Sequence, residues 1–177
     1  MEEPLEYLTI NESNGLLRAI NEPRDKAIIT LFLCNGLFVN ELINLKVDDI
    51  DFPKRLLKIQ GKRKRDLPLN DQAHDALASW SKERITTPSP YLFITMKGNV
   101  EQLSLRGIDK MIRRYAELAG LNRNVNAKVL RNTFAANLFK QAIPLQEATN
   151  LLGITDPESI RRYLHLAKTP IPLPELD

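Results

Sequence analysis

The sequence has 177 residues, of which 43% are hydrophobic and 27% charged, and this composition is typical of one globular domain rather than a disordered chain. Its single cysteine excludes an internal disulfide, and no apolar run is long enough to span a bilayer, so we expect a cytoplasmic protein without a membrane partner. The formal net charge of +3 is too small to identify a nucleic-acid partner by itself.

The first half of the chain predicts helices followed by a small sheet. Thr9 and Glu12 form a capping box, which opens a first helix ending near Ala19. Pro23 opens a second helix, apolar on nearly every side and therefore central, which ends at Gly36. The further elements are a short helix over residues 39–45, strands over 56–60 and 66–69, a helix over 71–84 and a third strand over 91–95.

The second half of the chain predicts only helices. They cover residues 104–120, 127–142, 144–152 and 157–168, and an extended, proline-rich tail follows over residues 169–177. Helices, then a small antiparallel sheet of three strands, then helices again predict a mostly helical α+β domain. We expect a single domain over residues 1–177, with an extension at residues 1–7 and no separate N-terminal domain.

Basic residues gather in three parts of the sequence. The first part is the predicted hairpin, the second is the helix over residues 104–120, and the third lies in the last third of the chain. The clusters are Lys54, Arg55, Lys58, Lys62, Arg63, Lys64 and Arg65; Arg106, Lys110, Arg113 and Arg114; and Arg123, Lys128, Arg131, Arg161 and Arg162. Such clusters neutralise nucleic-acid phosphates, but solvated surface charge explains any single one of them equally well.

Five segments, in chain order, carry a recognisable pattern. They comprise residues 24–29 with 35–42, residues 45–51, the basic hairpin over 61–69, residues 128–135, and residues 151–154 with Tyr163. Together they resemble the catalytic domain of tyrosine recombinases, the phage integrase family, and especially the Xer-like integrases. The resemblance covers nearly the whole chain and implies the fold of that domain.

The resemblance implies a metal-independent and cofactor-independent reaction on double-stranded DNA, in which a tyrosine forms a 3′-phosphotyrosyl link. Tyr163 matches the nucleophile, and Arg131 matches the second arginine of the phosphate clamp. Lys128 occupies the first position of the family's His-x-x-Arg pattern, and Lys62 best matches the hairpin lysine, which protonates the leaving oxygen. Because the hairpin is shorter than usual, Lys64 is the alternative to Lys62. The residues expected to contact DNA are Lys62, Arg63, Lys64, Arg65, Arg106 and Arg131.

Two positions depart from the family pattern. Phe38 stands where the family has its first catalytic arginine, and Ile154 stands where it has histidine or tryptophan. Phenylalanine donates no hydrogen bond, and loss of one preorganised donor typically costs about 10²–10³ in rate. Arg63 or Lys64 is a candidate to compensate for the missing arginine. The enzyme class therefore stays open between a recombinase with impaired catalysis and a catalytically inactive DNA-binding or regulatory relative.

Structural explanations compete with these functional ones. Tyr163 also fits an aromatic residue packed at the rim of the core, and Arg131 also fits an ion pair with Glu147 or Glu158. Two histidines and one cysteine, far apart in the sequence, do not suggest a metal site. The tail over residues 169–177 is a candidate for assembly into a homo-oligomer or a mixed complex, and a scaffold for protein contacts is the third hypothesis.

Overall fold

The computed structural model describes residues 4–168, with side chains described as far as Leu164. The tail predicted for assembly therefore lies outside the described residues. The elements are α1 (Ile10–Arg18), α2 (Pro23–Asn35), α3 (Val39–Asn44), a 3₁₀ turn (Val47–Asp49), β1 (Ile50–Asp51), β2 (Leu56–Ile59), β3 (Arg65–Pro68), α4 (Asp71–Glu83), α5 (Leu105–Leu118), α6 (Ala127–Lys140), α7 (Leu145–Leu152) and α8 (Pro157–Lys168). This order confirms the α+β class predicted from the sequence.

Local capping signals set the ends of the first two helices. The Thr9 hydroxyl accepts a hydrogen bond from the Glu12 amide at 3.1 Å, and the Glu12 carboxylate accepts one from the Thr9 amide at 2.7 Å. This is the predicted capping box, which satisfies two amides that a helix start leaves without partners. At the other end, α2 stops because Gly36 adopts φ +60°, a left-handed conformation that glycine reaches without steric cost.

The core is built around α2, as its apolar composition predicted. Ile28, Ile29 and Phe32 are fully buried, and α2 packs against α4 and α6. A smaller apolar cluster joins α6, α7 and the turn after α7. This second cluster matters for function because α8, which carries Tyr163, packs on it.

The sheet has three antiparallel strands in the order β1-β2-β3, but its third member differs from the prediction. Ile50–Asp51 pairs with β2, whereas residues 91–95 form only isolated bridges, so the strand predicted there was wrong. The reason lies in side-chain competition for backbone carbonyls. The Arg84 guanidinium donates to the Tyr91 carbonyl at 2.7 Å, and the Trp80 indole donates to the Leu92 carbonyl at 3.0 Å. Side-chain donors thus take part of the acceptor capacity of these two carbonyls, and the pairing of this segment is limited to single bridges.

Helix α5 separates an apolar face from a basic one. Ile108, Ile112 and Tyr115 are buried, whereas Arg106 and Lys110 are exposed to solvent. The hydrophobic face fixes the helix on the domain, so the cations necessarily line its outer surface. Among the described residues, no helix has both the length and the apolar character needed to cross a bilayer.

Candidate functional site

Three parts of the fold, together with Leu5 of the N-terminal segment, meet around one cavity of about 320 Å³. They are the turn after α2, the first turns of α6, and α8. The lining residues are Leu5, Leu37, Phe38, Val39, Ala127, Lys128, Arg131, Ser159, Arg162 and Tyr163. The structure therefore brings together three of the four side chains predicted to be catalytic, with Tyr163 joining Lys128 and Arg131 from more than thirty residues further along the chain.

Arg131 is the buried cation of this cavity, with 5% of its surface exposed. One terminal nitrogen donates to the Gly36 carbonyl, and the other donates to the Leu152 carbonyl at 2.7 Å. These two bonds leave three of the five guanidinium donors available. No ion pair among the described side chains joins Arg131 to Glu147 or Glu158.

Burial lowers the pKa of Arg131, and the neighbouring Tyr163 phenol and Glu41 carboxylate partly offset this effect. A guanidinium begins from a pKa so high that it remains charged at neutral pH. The cavity therefore contains a desolvated positive charge whose position is fixed by the backbone. Such a charge interacts with an anion more strongly than a cation in bulk water does.

Tyr163 packs as an aromatic residue at the rim of the core and also has a hydrogen-bonded hydroxyl at the cavity. Its ring stacks with Phe139, with centroids 6.4 Å apart and planes 20° from parallel. Its hydroxyl donates to the Asn132 side-chain oxygen at 3.2 Å. Asn132 is 2% exposed, and its amide group also donates to the Glu6 carbonyl at 3.1 Å. Asn132 thus holds the phenol beside Arg131, a role that sequence reasoning missed.

Lys128 lies one helical turn before Arg131 and is exposed at the mouth of the same cavity. The i,i+3 spacing puts both cations on one face of α6, as the sequence predicted. Lys62 does not join them. It lines a neighbouring cavity of about 250 Å³ together with Glu41 and Arg63.

The remaining hairpin cations point in different directions. Arg65 turns inward and forms a two-pronged ion pair with Glu41, at 2.6 and 3.0 Å, in which both side chains are 10% exposed. Its Nε also donates to the Leu151 carbonyl at 2.9 Å, so the structure uses Arg65 to attach the hairpin to α7. Lys64 is exposed, and Arg106 lies on the exposed face of α5, outside the cavity.

The two positions that depart from the family pattern both hold apolar side chains with defined packing. The Phe38 ring lies beneath the Arg131 guanidinium, whose central carbon is 3.6 Å from the ring centroid. The Arg63 guanidinium contacts the same ring at 4.4 Å. Ile154 is 7% exposed and belongs to the second apolar cluster. Neither side chain offers a hydrogen-bond donor to the cavity.

The charge of the site is strongly one-sided. Glu41 is the nearby acid, and its two oxygens are occupied by Arg65 and by the Phe38 amide at 2.9 Å. Within residues 4–164, no ion pair includes Lys128 or Arg131. In the same part of the chain, no group of three or more His, Cys, Asp or Glu residues is arranged to hold a metal ion. The arrangement favours binding of an anion next to the phenol.

Comparison with known proteins gives consistent matches. The profile of the phage integrase family matches residues 6–169. Tyrosine recombinase XerC of Thermodesulfovibrio yellowstonii is 29% identical over 175 residues, covering 90% of this chain and 58% of XerC. Among solved structures, XerA recombinase superposes with a TM-score of 0.84 at 25% identity, covering 92% of this chain and 61% of XerA.

A second solved structure, XerH site-specific recombinase bound to palindromic difH substrate in a post-cleavage complex, superposes with a TM-score of 0.80 at 25% identity. The match covers 94% of this chain and 51% of XerH. The chain thus spans between half and two thirds of the length of these proteins. Since the family profile extends over nearly the whole sequence, this chain belongs to the phage integrase family.

Proposed function

We propose that the protein binds double-stranded DNA and acts in site-specific recombination, cutting and rejoining strands through a 3′-phosphotyrosyl intermediate on Tyr163. The observation that carries this proposal is the shared cavity, in which Tyr163, Arg131 and Lys128 meet without a competing carboxylate. The relatives named above are tyrosine recombinases, and XerH is described on a DNA substrate.

In the proposed step, the Tyr163 oxygen forms a bond to the phosphorus while the bond from phosphorus to the 5′-oxygen breaks. The phenol loses its proton to solvent, and the leaving 5′-oxygen gains one from Lys62. The free donors of Arg131 and the Lys128 ammonium stabilise the charge that develops on the non-bridging oxygens, as an oxyanion hole does. Because Lys62 lies in the neighbouring cavity, its part in the step requires the hairpin tip to move toward the bound phosphate.

We further propose that catalysis is slower than in relatives that keep both missing donors. Phe38 and Ile154 offer no hydrogen bond, and each lost donor typically costs about 10²–10³ in rate. This cost acts on the chemical step, because an apolar residue at either position leaves the exposed cations of the hairpin and α5 free to bind DNA.

Covalent trapping tests the proposal. A duplex selected from a random library by its binding to the protein is nicked near its centre, so that a cleaved strand diffuses away and leaves the covalent adduct. The unsubstituted protein should accumulate a denaturation-resistant adduct on gels. Tyr163→Phe should form none while binding the duplex with unchanged affinity, and Tyr91→Phe should behave like the unsubstituted protein.

A catalytically inactive DNA-binding or regulatory relative is the second candidate, favoured by the apolar packing of Phe38 and Ile154. It predicts tight duplex binding with no adduct on any selected sequence. It also predicts that Phe38→Arg fails to create cleavage and that Tyr163→Phe leaves the biological activity intact. Recovery of an adduct with the unsubstituted protein would exclude this candidate.

A further inference from the structure

Phe38 is in contact with two guanidinium groups rather than one. The central carbon of Arg131 is 3.6 Å from the ring centroid, and that of Arg63 is 4.4 Å away. Arg131 comes from the buried start of α6, and Arg63 comes from the β2–β3 turn. An aromatic ring attracts each cation, but two cations held on one ring also repel each other.

The backbone of Arg63 is fixed by its neighbour. Arg65 donates to the Arg63 carbonyl at 2.9 Å while it is locked into its ion pair with Glu41. The Arg63 stem also lies close to Gly153, where an added Cβ would approach the Arg63 Cδ to 3.3 Å. The side chain therefore runs between Gly153 and the Phe38 ring. Lys64, the adjacent cation, is exposed and is not among the residues lining the described cavities.

The positive charges of Arg63 and Arg131 are not neutralised by a carboxylate within the described residues. Glu41, which lines the same cavity as Arg63, already binds Arg65 and the Phe38 amide. No described ion pair includes Arg63. Without a carboxylate between them, the two guanidinium groups repel each other when no anion is bound. An oxyanion would remove this repulsion, because each planar guanidinium can donate two hydrogen bonds to it.

From this geometry we infer that Arg63 is the second guanidinium of the phosphate clamp and restores part of the rate lost with the donor at position 38. Arg63 lines the neighbouring cavity with Lys62 and contacts the Phe38 ring, so the movement of the hairpin tip proposed for Lys62 also brings Arg63 to the phosphate, with the ring as its support. In this arrangement Arg63 and Arg131 hold the non-bridging oxygens of one phosphate, and Phe38 positions both cations instead of contacting the phosphate itself. The catalytic part of this inference rests on the proposed function, whereas the oxyanion site can be tested without it.

The adduct assay provides the catalytic test, with Arg63→Ala compared to Arg106→Ala. Both variants lose one exposed guanidinium, but Arg106 lies on α5 outside the cavity and has no part in the proposed chemical step. At saturating protein, Arg63→Ala should slow adduct formation by about 10²–10³-fold, whereas Arg106→Ala should slow it less than tenfold. In the double variant with Phe38→Arg and Arg63→Ala, an arginine returns to the ring position and the rate should recover. Equal rates for Arg63→Ala and Arg106→Ala would overturn the inference.

Titration with tungstate, a phosphate-like oxyanion, separates this inference from the proposed function. Calorimetry should detect binding to the unsubstituted protein and to Lys64→Ala, and loss of that binding in Arg63→Ala. If no variant ever forms an adduct but tungstate binding depends on Arg63, the enzyme proposal fails and the oxyanion site stands. If Arg63→Ala binds tungstate as well as the unsubstituted protein does, the oxyanion site is refuted whatever the adduct assay shows.

Discussion

At the scale of single residues, the sequence shows which side chains are charged but not whether each one points into the domain or toward solvent. The hairpin shows four basic residues in a row, and nothing in that run tells which side chain faces inward. The structure turns Arg65 toward Glu41 and leaves Lys64 exposed. Asn132 escaped prediction for a similar reason, since its partner Tyr163 lies 31 residues away and on another helix. Only the three-dimensional packing brings such pairs together.

The ion pair between Glu41 and Arg65 should be essential for stability. Glu41→Gln leaves a nearly buried guanidinium without its counter-charge, and we expect the free energy of unfolding to fall by about 3 kcal/mol. Asp71→Asn is the matched control, because Arg55 and Asp71 form a pair whose side chains are 42% and 96% exposed. An exposed pair contributes about 0–1 kcal/mol. Urea denaturation measures both values, and equal losses would show that the buried pair contributes no more than the exposed one.

At the scale of secondary structure, capping residues predicted most helix boundaries to within about two residues. Thr9, Asn70 and Ser104 each cap the helix that follows them, and these are local interactions that the sequence displays directly. The strand predicted over residues 91–95 failed because Arg84 and Trp80 occupy its carbonyls, which is a tertiary effect. Prediction therefore worked where the controlling partner lies within a few residues.

Two glycines that end helices allow conformational strain to be separated from steric overlap. Gly36 and Gly120 both have positive φ, +60° and +75°, but an added Cβ at Gly36 overlaps the Phe134 ring while the one at Gly120 meets open space. We expect Gly120→Ala to cost about 1 kcal/mol through left-handed strain alone. Gly36→Ala should cost about 3 kcal/mol, since overpacking adds to the strain.

Thermal and urea denaturation of both glycine variants measure these costs. The two substitutions should also differ in their effect on catalysis, because the Gly36 carbonyl accepts a hydrogen bond from Arg131. Gly36→Ala should therefore slow adduct formation, and Gly120→Ala should leave it unchanged. Similar stability losses in the two variants would mean that Phe134 moves aside at little cost.

At the scale of the whole molecule, the distribution of charge is more informative than its total. The chain carries 25 basic and 22 acidic residues, so the net charge of +3 alone would not predict DNA binding. The fold, however, pairs Arg65 with Glu41 and Arg114 with the buried Asp25, and it leaves other cations exposed on the hairpin tip and on the outer face of α5. A sequence-based count treats both kinds alike and does not separate Arg65, which pairs with Glu41, from the exposed Lys64.

The division of the cations into paired and exposed ones predicts how DNA binding depends on salt concentration. Each phosphate contact releases condensed counterions, so removing one contact should reduce the slope of log affinity against log salt by about 1. Lys64→Ala and Arg106→Ala should each have this effect in fluorescence anisotropy titrations over a range of salt concentrations. Lys82→Ala removes an exposed cation from α4 and should leave the slope unchanged. If Lys82→Ala reduces the slope as much as the other two, the protein binds DNA through diffuse attraction, and the hairpin and α5 do not form a defined binding surface.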